Sequence, residues 1–461
     1  MLHFDLIVIG SGPGGQRAAI QAAKIGKNVA LVERQTVLGG VTAHTGTIPS
    51  KTLRETVLFM SGWRQKALYG QSYRVKQDIT LEDLMHRLNL TVNQQIEIIR
   101  HQLERNRVHL ISGHAAFVDD HTIRVDEASG ASACYSADYI ILATGTVPSR
   151  PEEFAFDDRT IFDSDGILKL KHLPRTLTVV GAGVIGVEYA TIFSALNIKV
   201  TLVDGRNAIL DFLDEDIIDH FKHELIHHGI SLRLGDRIET LQNIDGKVEI
   251  LLNSGRRIVS EGVMVTAGRI GNTDKLGLEN VNLSADEKGR LRVDPHFRTE
   301  IPHIYAVGDL IGFPALASTS AEQGRRAACH AFGRPLDNHH ELYPYGIYSV
   351  PQISMVGKTE QQLRNEGVRY ECGMARLNEI ARGQIQGGAD GLLKLLFSLE
   401  DERLLGVHIV GDAATELVHI GQAVIALGGG LDYLVGAVFN YPTFAEAYKV
   451  AALDAWNRMH G

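Results

Sequence analysis

Residues 4–33 read FDLIVIGSGPGGQRAAIQAAKIGKNVALVE. Phe4–Ile9 is a continuous apolar run, the pattern of a fully buried strand. Gly10-Ser11-Gly12-Pro13-Gly14-Gly15 follows at once and satisfies GxGxxG. The spacing predicts a helix over Gly14–Gly26 and a second strand over Asn28–Val32, with Glu33 at its end. In such a unit the first glycine permits the tight turn and the second lets the backbone approach a pyrophosphate. The third allows close helix–strand packing, and the helix N-terminus attracts phosphate charge. Glu33 stands where an acid accepts hydrogen bonds from a ribose.

The device recurs in residues 177–204, LTVVGAGVIGVEYATIFSALNIKVTLVD. Leu177–Val180 reads as a strand, Gly181–Gly186 as the glycine turn, Val187–Leu196 as a helix and Lys199–Val203 as the returning strand. Here Ile185 lies within the turn, and the strand ends in Asp204-Gly205-Arg206. An acid at that place suits the free 2′-hydroxyl of NAD, and a neighbouring arginine suits the 2′-phosphate of NADP. With both present, the choice between NAD and NADP stays open. Two dinucleotide folds in one chain point to one tightly held flavin and one exchangeable nicotinamide.

The rest of the chain supports α/β architecture. Tyr139–Thr146, YIILATGT, reads as a buried strand running into a turn at Thr144 and Gly145. Ile304–Asp309, IYAVGD, is a short strand ending in Gly308 and Asp309, where an aspartate meets ribityl hydroxyls. Residues 80–107 carry apolar positions at three- and four-residue spacing and predict one long helix. Pro, Gly and Asp between Thr144 and Asp165 mark a crossing between domains, and a second is expected near Arg269–Thr273. From Leu342 onward, alternating runs followed by two helices indicate an α+β end domain.

Composition bounds the function. The chain has 461 residues, more than one ordinary core accommodates. Its net charge is −9, from 55 acidic and 46 basic side chains, which argues against non-specific binding of nucleic acid. No apolar run reaches the length of a membrane span, and the N-terminal apolar run lacks the basic flank of a signal peptide. A cytoplasmic protein is expected. Cys134, Cys329 and Cys372 form no CxxC or CxxxxC pair, so neither a disulfide framework nor a thiolate metal site is expected. His223-Glu224-Leu225-Ile226-His227 spells HExxH, but no third ligand accompanies it, and it reads as a solvated helix face. No metal is expected. His44 reads as a packing or surface residue, and Trp63 and Tyr69 as a core edge.

Taken together, GSGPGG with Glu33, GTIPSK (46–51), ATGT (143–146), GAGVIG (181–186), AVGD (306–309) and YPTFAEAY (441–448) resemble the flavoprotein disulfide reductases. This is the class I pyridine nucleotide-disulfide oxidoreductase family of dihydrolipoamide dehydrogenase and glutathione reductase. The resemblance runs from Phe4 to Trp456. It implies two Rossmann-like dinucleotide-binding domains plus a C-terminal α+β dimerisation domain. The expected division is 1–147 and 272–341 for FAD, 148–271 for NAD(P) and 342–461 for dimerisation. It further implies a homodimer, or a larger homo-oligomer, in which Tyr441 and Glu446 reach the partner's flavin. Lys51 is implied beside the flavin N5 and paired with Glu188. The resemblance also places Arg34, Gly40, Thr42, Gly46, Thr47, Ser50, Ala115, Gly268, Arg269 and Ala317 around the cofactors.

Two departures bear on the chemistry. Thr42 and Thr47 stand where the family carries CxxxxC, and Tyr441 stands where it carries the histidine of a His-Pro pair. Threonine hydroxyls form no disulfide, and a tyrosine with an ordinary pKa near 10 is a poor base at neutral pH. Within the family the chain is most similar to the soluble pyridine nucleotide transhydrogenases. That resemblance implies reversible ping-pong transfer of hydride from NADPH to NAD through flavin N5, both nicotinamides using one pocket. The residues alone leave two alternatives open: an NAD(P)H:quinone or dye reductase on the same fold, and a redox-silent flavoprotein scaffold.

Overall fold

The computed structural model describes residues 1–70, 72–336, 342–387 and 390–461. It contains two compact units. The first comprises Met1–Thr52, Met85–Ser149 and the stretch beginning at Ala267. The second comprises Leu53–Leu84, Arg150–Thr266 and the stretch ending at Gly461. The junction expected at 341 borders a stretch outside the described residues.

The first unit is built on a seven-stranded sheet. Leu2–Ile9 lies at its centre, parallel to Val29–Glu33 on one side and to Ser132–Leu142 on the other. Leu6, Ile7 and Val8 have no solvent exposure, which explains why this strand shows no polar alternation. His109–Ser112 extends the parallel side, and Ile304–Ala306 adds a further parallel strand against Ser132–Leu142. An antiparallel hairpin, His114–Phe117 with Thr122–Asp126, completes the other side. The glycine-loop helix is Pro13–Lys24, opened by proline in its first turn as expected for that residue. It packs against Ala317–Ala331 through glycines: a Cβ on Gly324 would sit 2.0 Å from the Gly14 carbonyl oxygen. The long helix is Leu81–Arg105, within the span that periodicity predicts.

The second unit repeats the plan. A five-stranded parallel sheet runs in the order 231–234, 199–204, 176–180, 262–265, 161–163, beside an antiparallel meander over 238–260. The helix after the second glycine loop spans Val184–Ala195. It opens three residues before the expected Val187, because Gly183 already serves as its N-cap. The C-terminal part holds a five-stranded antiparallel sheet centred on Leu404–Val410. Leu392–Ser398 is buried along its whole length, under helices Ala414–Ala426 and Glu446–His460. A short helix, Leu431–Gly436, intervenes between the two helices that the sequence predicts. No helix among the described residues is long and apolar enough to cross a membrane.

Two dinucleotide cradles as the candidate functional site

The two glycine loops have the same construction. Gly10 has φ +105 and Gly181 φ +102, a region that side-chain-bearing residues rarely adopt. The Gly10 N–H donates to Val32 O and the Gly181 N–H to Val203 O, each at 2.8 Å. A Cβ on Gly15 would lie 1.9 Å from Gly10 O, and one on Gly186 would lie 1.9 Å from Gly181 O. The third glycine of each loop therefore sets how closely the helix approaches its strand. At Gly12 and Gly183, by contrast, a Cβ would meet nothing within 4 Å. Open space above the middle glycine leaves room for a bound pyrophosphate. Both helices also start without a side-chain cap and without an acid in the first turn. Helix Glu215–His227 has its Asp214 cap, and helix Glu360–Glu366 its Thr359 capping box. Uncapped N–H groups at a helix N-terminus beside an open glycine fit a phosphate.

The acids at the strand ends act first on the loops themselves. Glu33 is buried, and its Oε2 accepts from the Ser11 N–H (3.0 Å) and hydroxyl (2.6 Å), while Oε1 accepts from the Gln35 N–H (2.9 Å). A carboxylate has about four lone-pair sites, so one remains for a ribose hydroxyl. Asp204 is also buried, and its Oδ2 accepts from the Ala182 N–H at 2.7 Å. Its remaining sites are engaged by Arg206, through the backbone N–H (2.8 Å), Nε (3.1 Å) and Nη2 (2.9 Å). Burial would raise the Asp204 carboxyl, but the Arg206 bonds and the Ala182 N–H more than reverse this and hold it below the usual range. The Arg206 guanidinium is about half exposed.

Around the first cradle the first unit assembles most of the remaining sequence-predicted residues. Gly40 lies against the loop: its Cβ would come 3.0 Å from the Gly12 Cα. Thr42 is half-buried in the short helix Gly40–His44. The Gly46 N–H closes that turn on Val41 O at 2.7 Å. Thr47 is the exposed first residue of helix Thr47–Met60, Ser50 is buried one turn on, and Lys51 follows it. The Thr144 hydroxyl is buried without a partner, an orphaned polar atom that fits a ligand group. Arg269 donates to the Thr146 hydroxyl (2.8 Å) and carbonyl (3.0 Å), and Gly268 O accepts from the Ser149 N–H. Burial pushes the Asp309 carboxyl up, with the Arg269 charge and a Ser320 bond opposing it. The adjacent Gly308 N–H donates to Gln323. Ala317 opens helix Ala317–Ala331, another N-terminus without a side-chain cap. The Ala115 side chain is in the hydrophobic core, so only its backbone is available to a ligand.

In the second unit, Glu188 is buried and accepts from the Tyr348 N–H at 2.8 Å, and Ile185 lies half-buried in the first helical turn. Tyr441 is 73% exposed. Glu446 begins the final helix with its Oε2 buried and unpartnered.

Sequence reasoning missed Asn272 and Ser11. The Asn272 side chain donates to Thr144 O and accepts from Arg34, and its N–H donates to Gly145 O. Ser11 ties Glu33 to the loop and accepts from the Gly39 N–H. Ser11 fills an unspecified place of GxGxxG and Asn272 lies outside the motifs, so spacing carried no signal for them. His223 and His227 are exposed, and Glu224 pairs with His228 at 3.2 Å instead. His44 bonds Leu38 O, and the three cysteines are free.

Residues 4–324 match the family model described as pyridine nucleotide-disulphide oxidoreductase, and residues 343–452 match its dimerisation domain. A relative from Mycobacterium bovis (strain BCG / Pasteur 1173P2), named soluble pyridine nucleotide transhydrogenase, is 54% identical over 100% of this chain and 98% of its own. A relative of the same name from Photobacterium profundum is 43% identical over 99% and 98%. Among solved structures, LpdA from Mycobacterium tuberculosis superposes with a TM-score of 0.90 at 25% identity, covering both chains fully. The HOCl-induced flavoprotein disulfide reductase RclA from Escherichia coli reaches 0.88 at 25% identity over 97% of this chain and 99% of its own. The chain belongs to the pyridine nucleotide-disulphide oxidoreductase family, whose members work with FAD and NAD(P), and it carries that family's dimerisation domain.

Proposed function

We propose that the chain is an FAD-dependent soluble pyridine nucleotide transhydrogenase, reversibly coupling NADPH and NAD to NADP and NADH by ping-pong kinetics without a redox-active disulfide. One observation carries this reading. Both glycine loops leave open space above their middle glycine, and by resemblance to the family Thr42 and Thr47 stand where its sulfur relay would be. The names of the relatives from Mycobacterium bovis and Photobacterium profundum support it. A cytoplasmic site of action follows from the substrates.

Bound FAD would supply the two-electron store that takes hydride from one nicotinamide and returns it to another. The chain's own residues bind and orient. Gly10, Gly12, Pro13, Gly14 and Gly15 would hold the FAD pyrophosphate on the first helix terminus, with the last lone pair of Glu33 on its ribose. Gly40, Gly46, Thr42, Thr47 and Ser50 would shape the wall beside it. The Thr144 hydroxyl and the Asp309 carboxyl would receive polar groups of the cofactor. Gly181, Gly183, Ile185 and Gly186 would hold the nicotinamide dinucleotide, and Asp204 with Arg206 would read its 2′ group. By resemblance to the family, Lys51 paired with Glu188 would place a cation where negative charge develops. Tyr441 and the unpartnered Glu446 carboxylate would complete the partner's site. We divide the chain accordingly into FAD-binding parts at 1–147 and 272–341, an NAD(P)-binding part at 148–271 and a dimerisation part at 342–461.

The test is anaerobic turnover of NADPH with thio-NAD, compared with NADPH and a quinone. Transfer to thio-NAD with parallel double-reciprocal lines is the expected outcome. Reduction of the quinone alone would make the protein a quinone reductase. A flavin bleached by neither reduced nicotinamide would make it a redox-silent scaffold.

A further inference from the structure

The nicotinamide cradle has a flank that its glycine motif does not describe. Strand Ser231–Leu234 runs parallel to Lys199–Asp204, with Leu234 beside Asp204. The chain then turns at Gly235, and backbone bonds tie that turn to the loop after Asp204. The Gly235 N–H donates to Arg206 O at 2.9 Å, and the Asp236 N–H donates to Asp204 O at 3.2 Å. Arg237 follows. Its backbone is fixed by Asn253, whose Oδ1 accepts from the Arg237 N–H (2.8 Å) and whose N–H donates to Arg237 O (2.9 Å). The Arg237 side chain lies across Gly205, the residue between Asp204 and Arg206. A Cβ on Gly205 would come 2.9 Å from Arg237 Cγ and 3.1 Å from its Nε. Glycine at 205 leaves the space that this arginine fills.

The flank changes the charge balance beside the Asp204 carboxylate. Arg206 bonds Asp204 and lies 3.9 Å from Asp211, so the loop by itself sets two carboxylates against one guanidinium. That arrangement repels a phosphate. Arg237 supplies a further cation. It is exposed, and no carboxylate pairs with it among the described residues. The neighbouring Asp236 carboxylate is engaged by Ser254, accepting from its N–H (3.2 Å) and its hydroxyl (2.7 Å). Asp204 is buried and holds the Ala182 N–H of the glycine loop at 2.7 Å, whereas both arginines are exposed enough to swing toward a ligand.

We propose that Arg237 is a specificity-determining residue of this cradle. Its guanidinium takes the 2′-phosphate of NADP together with Arg206, while Asp204 serves the 2′-hydroxyl of NAD. The proposal rests on the reading of residues 181–206 as the nicotinamide site. A guanidinium presents a planar fork of donors that matches the oxygens of a phosphate. NADP then draws on both arginines and NAD on neither, so one pocket accepts both nucleotides.

The test uses the FAD-loaded protein and two fragments that carry the 2′ difference without the nicotinamide, 2′,5′-ADP and 5′-AMP, titrated by calorimetry. Their binding does not depend on which molecule finally accepts hydride. Wild type is expected to bind both. Arg237→Ala is expected to lose at least about tenfold in affinity for 2′,5′-ADP and less than about twofold for 5′-AMP. Its kcat/KM for NADPH should fall at least about tenfold further than that for NADH. Lys247→Ala removes the same charge at the far end of the hairpin that starts at Ile238, and is expected to leave both affinities within about twofold. Unchanged affinity of Arg237→Ala for 2′,5′-ADP, or binding of 5′-AMP alone by wild type, overturns the assignment of Arg237 and leaves the cradle standing. An equal loss in Lys247→Ala also overturns it, since net charge rather than contact would then be responsible. Failure of wild type to bind either fragment overturns the nicotinamide reading of the cradle, and this proposal with it. Flavin content and melting temperature check that Arg237→Ala is folded; should it fail to fold, Arg237→Gln decides by the same comparison.

Discussion

Replacing Asp204 with alanine should turn the protein toward the phosphorylated nicotinamide. In the folded chain all four lone-pair sites of Asp204 are occupied, two by backbone N–H groups and two by the Arg206 guanidinium. The backbone bonds hold the glycine loop, so a ribose 2′-hydroxyl must displace a guanidinium bond. A 2′-phosphate instead requires Arg206 to turn outward. Arg206 is 53% exposed, so opening its pair costs only about 1 kcal/mol. A hydroxyl donating to a buried carboxylate contributes about 1.5–3 kcal/mol. Losing that bond should lower kcat/KM for NADH by roughly 10- to 150-fold, at 1.4 kcal/mol per factor of ten. NADPH loses no such bond and meets an arginine already released. The Ala182 N–H loses its acceptor for both nucleotides, so that defect cancels from the ratio. The NADPH/NADH ratio of kcat/KM should therefore rise at least about 10- to 150-fold, measured as anaerobic initial rates with a dye acceptor. Asp204→Asn, which keeps an acceptor for Ala182, should show a smaller rise with better overall activity. A ratio unchanged in Asp204→Ala would refute the assignment of this carboxylate to the 2′ position.

Anaerobic titration with NADPH should bleach the flavin with about one hydride equivalent per flavin and show no thiolate-to-flavin charge-transfer band, since no thiol pair is available to store further electrons; a long-wavelength band would refute this. Gly186→Ala should leave flavin content intact but abolish bleaching by NADPH, whereas Gly15→Ala should yield protein depleted of flavin, because each new Cβ would lie 1.9 Å from a backbone oxygen. Absorbance per chain checks both. Lys394 is almost fully buried and contacts Asp214, Asp216 and Glu360, so Lys394→Met should destabilise the second unit by about 3–5 kcal/mol in denaturant melts. A loss below 1 kcal/mol would show that those carboxylates find other partners. Burial would lower the Lys394 ammonium and raise the Glu360 carboxyl, but their bonds more than reverse both effects. The Glu360 contribution is thus present above the ordinary carboxylate range and lost as pH falls through its lower folded value. The Lys394 contribution is present below the ordinary ammonium range and lost as pH rises through its higher folded value. In Lys394→Met, stability should fall less steeply on the acid side than in wild type.

Both cradles were legible because their information is local. The turn at Gly10 and Gly181, the close approach at Gly15 and Gly186, and the acid at the end of the next strand all follow from backbone geometry within about thirty residues. The absence of cysteines at 42 and 47 was equally plain, and with it the question of how electrons move. What local spacing does not encode is which long-range partner satisfies a buried polar group. Lys394 meets Asp214 across 180 positions of chain, and Asn272 reaches Thr144 across 128. Trp63 had looked like a core edge, and only folding places it between Lys66 and His228.

Pattern alone established that the chain winds two dinucleotide folds and ends in an α+β domain, because steric limits on φ and the periodicity of buried faces act residue by residue. Tertiary structure decided which carboxylates are saturated, as Asp204 is by Arg206, and which buried atoms are left without a partner, as the Thr144 hydroxyl and Glu446 Oε2 are. Those outcomes depend on desolvation, and a group is desolvated only when segments far apart in sequence close over it.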